Sequence, residues 1–374
     1  MSKRRTKTAV SIGAVALAMG LVAACGPTLG QPAVGQRPNA PRVFDNSDPA
    51  VLVHAGATYL YGSTNNMRLP VRPISSFNGT LGQSQLDWAT NPRDAMPDRP
   101  AWVDPTEWEI WAPSVTRING AFVVYFAAKH RAATTNENND LCIGRADATS
   151  PLGPFTPWST PLYCGLPAEG AIAGQPASNR WGRGALDPEV VRGHDGKLHL
   201  LVALSRTRDN IGVVRLDSVG RVVGGINATP TILASQGLPW HDGTVDTTLR
   251  GHVFLENPTM AYDPQTKTYL LFYSAGQWNT SSYVTGFARC AAPTGPCTLD
   301  TRGPMLMGGN GRSGPGGLTA FRDATGLLRV AYATWTAGRE GEVGLLGEYT
   351  RKTHWGRITL GSTSDPAAQR VSLS

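Results

Sequence analysis

The chain has 374 residues, 43 glycines, 28 prolines and 41% hydrophobic residues: enough apolar material for a large core, at a Gly/Pro density that suits many short strands better than long helices. The formal charge of +7 overstates its basicity, because Lys3, Arg4, Arg5 and Lys7 stand in an acid-free leader and the remainder carries 30 cations against 27 acids. That balance, with no basic cluster interleaved with aromatics, gives no reason to expect nucleic-acid binding, and no mid-chain run is long and apolar enough to span a membrane.

Residues 1–24 read as an export signal, a basic start followed by an apolar run from Ala9 to Ala24 with small residues near its end. Leu21-Val22-Ala23-Ala24-Cys25 resembles a bacterial lipobox, which implies lipidation at Cys25 and an extracytoplasmic protein, tethered to the membrane or secreted. A plain secretory signal with an incidental cysteine is the alternative. Residues 25–41, rich in Gly, Pro, Gln and Ala, have the composition of a flexible tether, so the folded domain is expected over 42–374.

One short unit then recurs. Asp48-Pro49 leads into an alternating hairpin that turns at Ala55-Gly56, and Ala112-Pro113 into one that turns at Asn119-Gly120. Asp187-Pro188 leads to a turn at His194-Asp195-Gly196, after which Leu198, Leu200 and Val202 share one face. Asn257-Pro258 and Gly314-Pro315 open the last two units. Proline lacks an N–H and pushes the preceding residue out of helical geometry, so each pair marks a strand mouth. Five such units predict an all-β, five-bladed β-propeller. In a propeller the innermost strands bring equivalent positions to one channel mouth. Those positions read Asp48, Ala112, Asp187, Glu256 (offset by one residue through Asn257) and Gly314. Three acids in five equivalent places is improbable for a chain with 27 acids. Carboxylates gathered in a partly dry pocket repel one another, which is costly unless chemistry uses it. Strand-start capping or one shared cation is the bland alternative.

Between the first two units lies a proline-rich stretch with Trp88, Trp102, Trp108 and Trp111. Indole faces suit the C–H faces of sugars, and Trp111, beside a mouth position, is the first candidate sugar contact, with Trp278 second. Setting Cys25 aside leaves an even four cysteines, predicted to pair as Cys142–Cys164 and Cys290–Cys297 in an oxidising compartment. Neither pair has metal-site spacing, and the seven histidines form no ligand motif, so no metal site is expected. Gly308-Gly309-Asn310-Gly311 opens no helix and reads as a loop rather than a nucleotide site.

The stretches DPAVLVHAGATYLYGS, WAPSVTRINGAFVVYFAA, LDPEVVRGHDGKLHLLVA, ENPTMAYDPQTKTYLLFYS and GPGGLTAFRDATGLLRVAYATW together resemble glycoside hydrolase family 43, the five-bladed arabinanases, arabinofuranosidases and xylosidases. The resemblance implies an inverting hydrolase of pentose glycosidic bonds in extracellular polysaccharide, arabinofuranosyl favoured and xylosyl next. Asp48 then corresponds to the general base, Glu256 to the general acid, and Asp187 to the acid that tunes and orients it. Such an enzyme holds base and acid about 6.5–9.5 Å apart, with room for the attacking water. Asn257, placed among the substrate-binding residues, stands where the family commonly has glycine. Gly317 stands where a channel-facing histidine often helps hold calcium, and Ala333 where a Tyr-His pair often falls. A structural calcium is therefore doubtful, no cofactor is expected, and the protein is expected to act as a monomer. Two further readings stay open: a glycan-binding propeller without turnover, for which Gly317 speaks, and a five-bladed fructan-active retaining enzyme with a nucleophile at Asp48.

Overall fold

Two of the proline-led hairpins turn as their sequences dictate. Ala55-Gly56 and Asn119-Gly120 each place two consecutive residues at positive φ, the type I′ geometry that matches strand twist. In this computed structural model the residues described are 47–63, 67–74, 93–106, 109–131, 141–165, 184–205, 209–241, 254–342, 351–366, 369 and 371–374. The export signal, the tether, Cys25, Trp88 and Trp108 lie outside them.

The strands fall into five four-stranded antiparallel sheets, each a simple meander. The first holds β1 (Ala50–His54), β2 (Ala57–Tyr61), β3 (Pro70–Ile74) and β4 (Arg93–Asp94), and the second β5 (Trp111–Ile118), β6 (Ala121–Lys129), β7 (Leu141–Ala148) and β8 (Thr156–Pro157). The third holds β9 (Ala185–Arg192), β10 (Leu198–Ser205), β11 (Asp209–Arg215) and β12 (Thr231–Ser235). The fourth holds β13 (Phe254–Asp263), β14 (Thr268–Gly276), β15 (Val284–Cys290) and β16 (Cys297–Leu299), and the fifth β17 (Arg312–Arg322), β18 (Leu328–Thr336), β19 (Lys352–Leu360) and β20 (Val371–Leu373). The first strands touch one another in the order β1, β5, β9, β13, β17 and back to β1, which closes the ring of a five-bladed propeller.

Because side chains alternate across a strand, each blade feeds two cores, one on either side. On β10, Leu198, Leu200 and Val202 pack with Ile118, Val123 and Tyr125 of blade two. Leu201 and Ala203 face the other way, against Leu255 and Leu271 of blade four. The seam between blades five and one joins Leu60 to Phe321, Ala331 and Trp355.

Both expected disulfides are present. Cys142 on β7 pairs with Cys164 beyond β8, and Cys290 with Cys297 across β15 and β16. Polar cross-links join blades near the channel. Ser114 Oγ accepts from Val190 N at 3.1 Å, and Thr259 Oγ1 accepts from Ala320 N at 3.1 Å. Between them Glu189 of β9 meets the hydroxyls of Ser114 and Thr259. It keeps partial solvent access but lies deep among protein atoms, and desolvation pushes its carboxyl up to about 7, against the pull of those hydroxyls.

Two expectations follow. Replacing Cys142 and Cys164 together by serine should lower the unfolding free energy by about 3 kcal/mol, the loop-closure contribution for that separation, read by urea denaturation. Glu189 binds its proton more tightly folded than unfolded, so its contribution to stability falls as pH rises from 4.5 to about 7. Glu189→Gln should therefore gain on the native chain between pH 5 and pH 8, by up to about 3 kcal/mol in unfolding free energy. A constant difference between the two pH values would contradict the burial argument.

Candidate active site

The mouth is built on one backbone feature repeated five times. Asp48, Ala112, Asp187, Asn257 and Gly317 all have φ between +44° and +60°. In blades two to four this residue and the following proline form a bulge in the pairing of the first two strands. Equivalence by structure keeps the one-residue offset of blade four and adds a second left-handed glycine in blade five, where Gly314 too has a φ of +55°. In blade four Asn257 holds the repeated position and Glu256 sits one residue before it, where blade two has Trp111. In blade five β17 carries two bulges: Gly314-Pro315 occupies the first, and Gly317 in the second lies against blade one. A Cβ on Gly317 would stand 2.9 Å from Asp48 Oδ1 and 3.3 Å from its Cα. Glycine is required there by that approach and by its φ of +60°.

These left-handed residues tie neighbouring blades together. Ser63 Oγ, just beyond β2, accepts from Ala112 N at 2.8 Å, and Ser274 Oγ on β14 accepts from Gly317 N at 2.9 Å. Between blades three and four Asp187 does this work, its Oδ2 accepting from Asn257 N at 2.9 Å.

Asp48 is met by donors. Ser63 Oγ donates to its Oδ2 at 2.6 Å, Asn257 Nδ2 faces Oδ1 at 3.4 Å, and an Arg351 terminal nitrogen lies 3.6 Å from Oδ1. Arg351 is buried, donates from Nε to Ser47 Oγ at 2.8 Å, and lies 5.5 and 5.9 Å from the ring centroids of Trp278 and Trp335. Glu256 and Asp187 are buried, at 6% and 5% exposure. Tyr283, the residue before β15, places its hydroxyl 2.8 Å from Glu256 Oε1 and 2.6 Å from Asn257 Oδ1. Burial, followed by the charges of Glu256 and Asp48, holds that phenol well above its ordinary range. Asn257 therefore touches Asp187 through its N–H, Asp48 through its amide nitrogen and Tyr283 through its amide oxygen.

The chain thus brings Asp48, Asp187, Glu256 and Asn257 to one place. Trp278 lies beside them, half-buried and stacked on Trp335 with centroids 6.2 Å apart. Trp111 is half-buried and packs on the core between blades two and three. Sequence reasoning missed Ser63, the last residue of the first proline-led stretch, and Tyr283 and Arg351, which lie outside those stretches. The residues present do not fit a calcium ion where the resemblance would put one. Gly317 offers no ligand, and among the described residues no group of three or more His, Cys, Asp or Glu side chains is placed to hold a metal.

The sequence model of glycosyl hydrolases family 43 matches residues 42–360. No curated protein matches the chain. Solved structures do match. A thermostable family-43 glycoside hydrolase aligns at 20% identity and a TM-score of 0.62, over 87% of this chain and 92% of that one. An endo-1,4-beta-xylanase from Bacteroides thetaiotaomicron aligns at 19% identity and 0.60, over 88% and 94%. An endo-1,5-alpha-L-arabinanase from Thermotoga petrophila aligns at 17% identity and 0.61, over 89% and 74%. The chain belongs to glycosyl hydrolases family 43.

Proposed function

We propose that this family 43 glycoside hydrolase inverts its substrate, cleaving pentose glycosidic bonds of extracellular polysaccharide, arabinofuranosyl linkages first and xylosyl linkages second. One observation carries the reading: Asp48 and Glu256, from blades one and four, are joined into one cluster through Asn257 and Tyr283. Asp48 is met by a hydroxyl, an amide and a guanidinium, which fix its carboxyl at the mouth where a base would act.

In the proposed reaction Asp48 takes a proton from a water on the far side of the sugar from the leaving oxygen. That water's oxygen forms the new bond to the anomeric carbon as the glycosidic C–O bond breaks. Glu256 gives its proton to the departing oxygen. Asp187 orients the acid's neighbourhood through its bond to Asn257 N. Trp278, held against Trp335 and Arg351, offers an apolar face to the sugar, and Trp111 a second one at the blade-two side. The pentose preference is supported by the activities named for the similar structures, an arabinanase and a xylanase. The close approach of Gly317 to Asp48 gives that glycine a structural reason and withdraws its support from the non-catalytic reading. Lipid attachment at Cys25 would keep the enzyme, a monomer, at the outer face of the membrane.

The test uses aryl arabinofuranoside, aryl xyloside and linear arabinan. The native chain should hydrolyse at least one, whereas Glu256→Gln and Asp48→Asn should each lose on the order of 10²–10⁴ in kcat. Silence of the native chain on all three, or retained turnover in either variant, would contradict the assignment.

A further inference from the structure

We propose that Arg312, Lys352 and His354 form an anion-binding site on blade five beside the mouth, which takes a carboxylate or phosphate group carried by the glycan. The inference extends the proposed substrate to an acidic polysaccharide. It rests on that reading for the chain that bears the anion, and not for the site itself.

Side chains alternate along the strands of blade five, one set turned toward blade one and the other toward blade four. Arg351, which reaches Asp48, and Trp335 beneath it belong to the first set. Lys352 and His354 belong to the second, paired in register with Thr334 and Tyr332 of β18. Arg312 joins them by donating from Nη1 to the Tyr332 hydroxyl at 3.2 Å. The glycine-rich turn at 308–311 closes on Arg312 through Gly309 N to Arg312 O at 2.9 Å and Arg312 N to Gly309 O at 3.0 Å, which fixes where that side chain starts. β17 and β19 begin, and β18 ends, at the end of the blade that carries Gly314 and Gly317. Arg312 and Lys352, both half-buried, therefore stand on the mouth face. Beneath them the seam between blades is apolar, with Leu270, Phe272 and Phe287 of blade four against Tyr332.

His354 is buried at 6% exposure, with its ring on that of Tyr332 at 5.6 Å between centroids. Its Nε2 lies 2.9 Å from Thr334 Oγ1, and its Nδ1 has no hydrogen-bond partner among the described residues. A buried polar atom left so is costly, and an acceptor there, direct or through one water, would satisfy it. Neither Arg312 nor Lys352 has an acidic partner among the described residues. Glu340 is held by Ser313, the residue after Arg312 and so on the opposite face of β17, and by Gly338 N at 3.1 Å. Burial, followed by the charges of Arg312 and Lys352, pushes the His354 imidazole down to about 4. At neutral pH the group thus offers two positive charges, a phenol and an uncharged imidazole at the end of an apolar seam. A cation is repelled there and a neutral sugar hydroxyl leaves both charges uncompensated, whereas an oxyanion pairs with them.

Two measurements on the full chain test the site. Calorimetry on Glu256→Gln, which limits turnover, compares a xylo-oligosaccharide with and without one glucuronate substituent. The acidic ligand should bind about tenfold more tightly or better, and Arg312→Gln with Lys352→Gln should abolish that advantage. The second measurement follows the His354 imidazole by NMR titration of the native chain, assigned with His354→Gln, with free glucuronate or inorganic phosphate added. An anion beside the two cations offsets their repulsion, so the His354 midpoint should move to higher pH. Movement with phosphate alone, and no preference for the acidic oligosaccharide, would reject the glycan as the source of the anion. No movement with either anion would overturn the site. Movement with glucuronate in a chain that binds and hydrolyses no pentoside would preserve the site while rejecting the pentose reading.

Discussion

A left-handed residue in or just before each inner strand, with φ between +44° and +60°, sets the register at which five blades meet. Four of the five are not glycine, and this conformation costs an ordinary L-residue on the order of 1 kcal/mol, less for Asp and Asn. Ala112 has no polar side chain to soften that cost, and its N–H is held by Ser63 from the preceding blade. The same arrangement recurs at Gly317 with Ser274 and at Asn257 with Asp187. Strain local to each strand is thereby offset by a bond to its neighbour, so the residues at the mouth are over-determined by the ring rather than by their own blade.

That constraint explains why structure and charge are hard to separate here. Asp187 is an inter-blade link and an acid in the cluster at once. Asp48 is the surface against which blade five closes through Gly317, and it also receives Ser63, Asn257 and Arg351. Arg351 reaches back to Ser47 across 304 positions of sequence, fastening the last blade to the first where the buried core of the seam, Leu60 with Phe321, Ala331 and Trp355, is modest. A charged group that both shapes the ring and faces the reaction is one whose replacement should not be interpreted through activity alone.

Much of this was legible in the chain. Proline ahead of an alternating run, followed by Ala-Gly or Asn-Gly, carries its own stereochemistry, so the hairpins and their number could be read directly. Both cysteine pairs could be read from parity and spacing. In blade five proline flags Gly314, which shares the left-handed φ and the bulge of the repeat, whereas the glycine that abuts Asp48 is Gly317, three residues on and without a proline after it. In blade four the proline flag itself marks Asn257, with Glu256 one residue before it, and the structure keeps that offset. Ser63 and Ser274 each close a recurring stretch and so could have been noticed, whereas Tyr283 and Arg351 left no local signal, because what makes them matter is a contact made only after the ring closes. Glu189 lay in plain view two residues past Asp187, but its environment, Ser114 and Thr259 from the flanking blades, is a property of the assembled channel.

The central claim is that Asp48 and Glu256 act from opposite sides of the sugar, one on water and one on the leaving oxygen. The stereochemistry of the first product tests it most directly. Proton NMR during the early hydrolysis of an aryl α-L-arabinofuranoside, before mutarotation, should show the β-anomer of arabinose appearing first. Initial release of the α-anomer would mean retention through a covalent intermediate, with Asp48 as nucleophile, and would contradict the account.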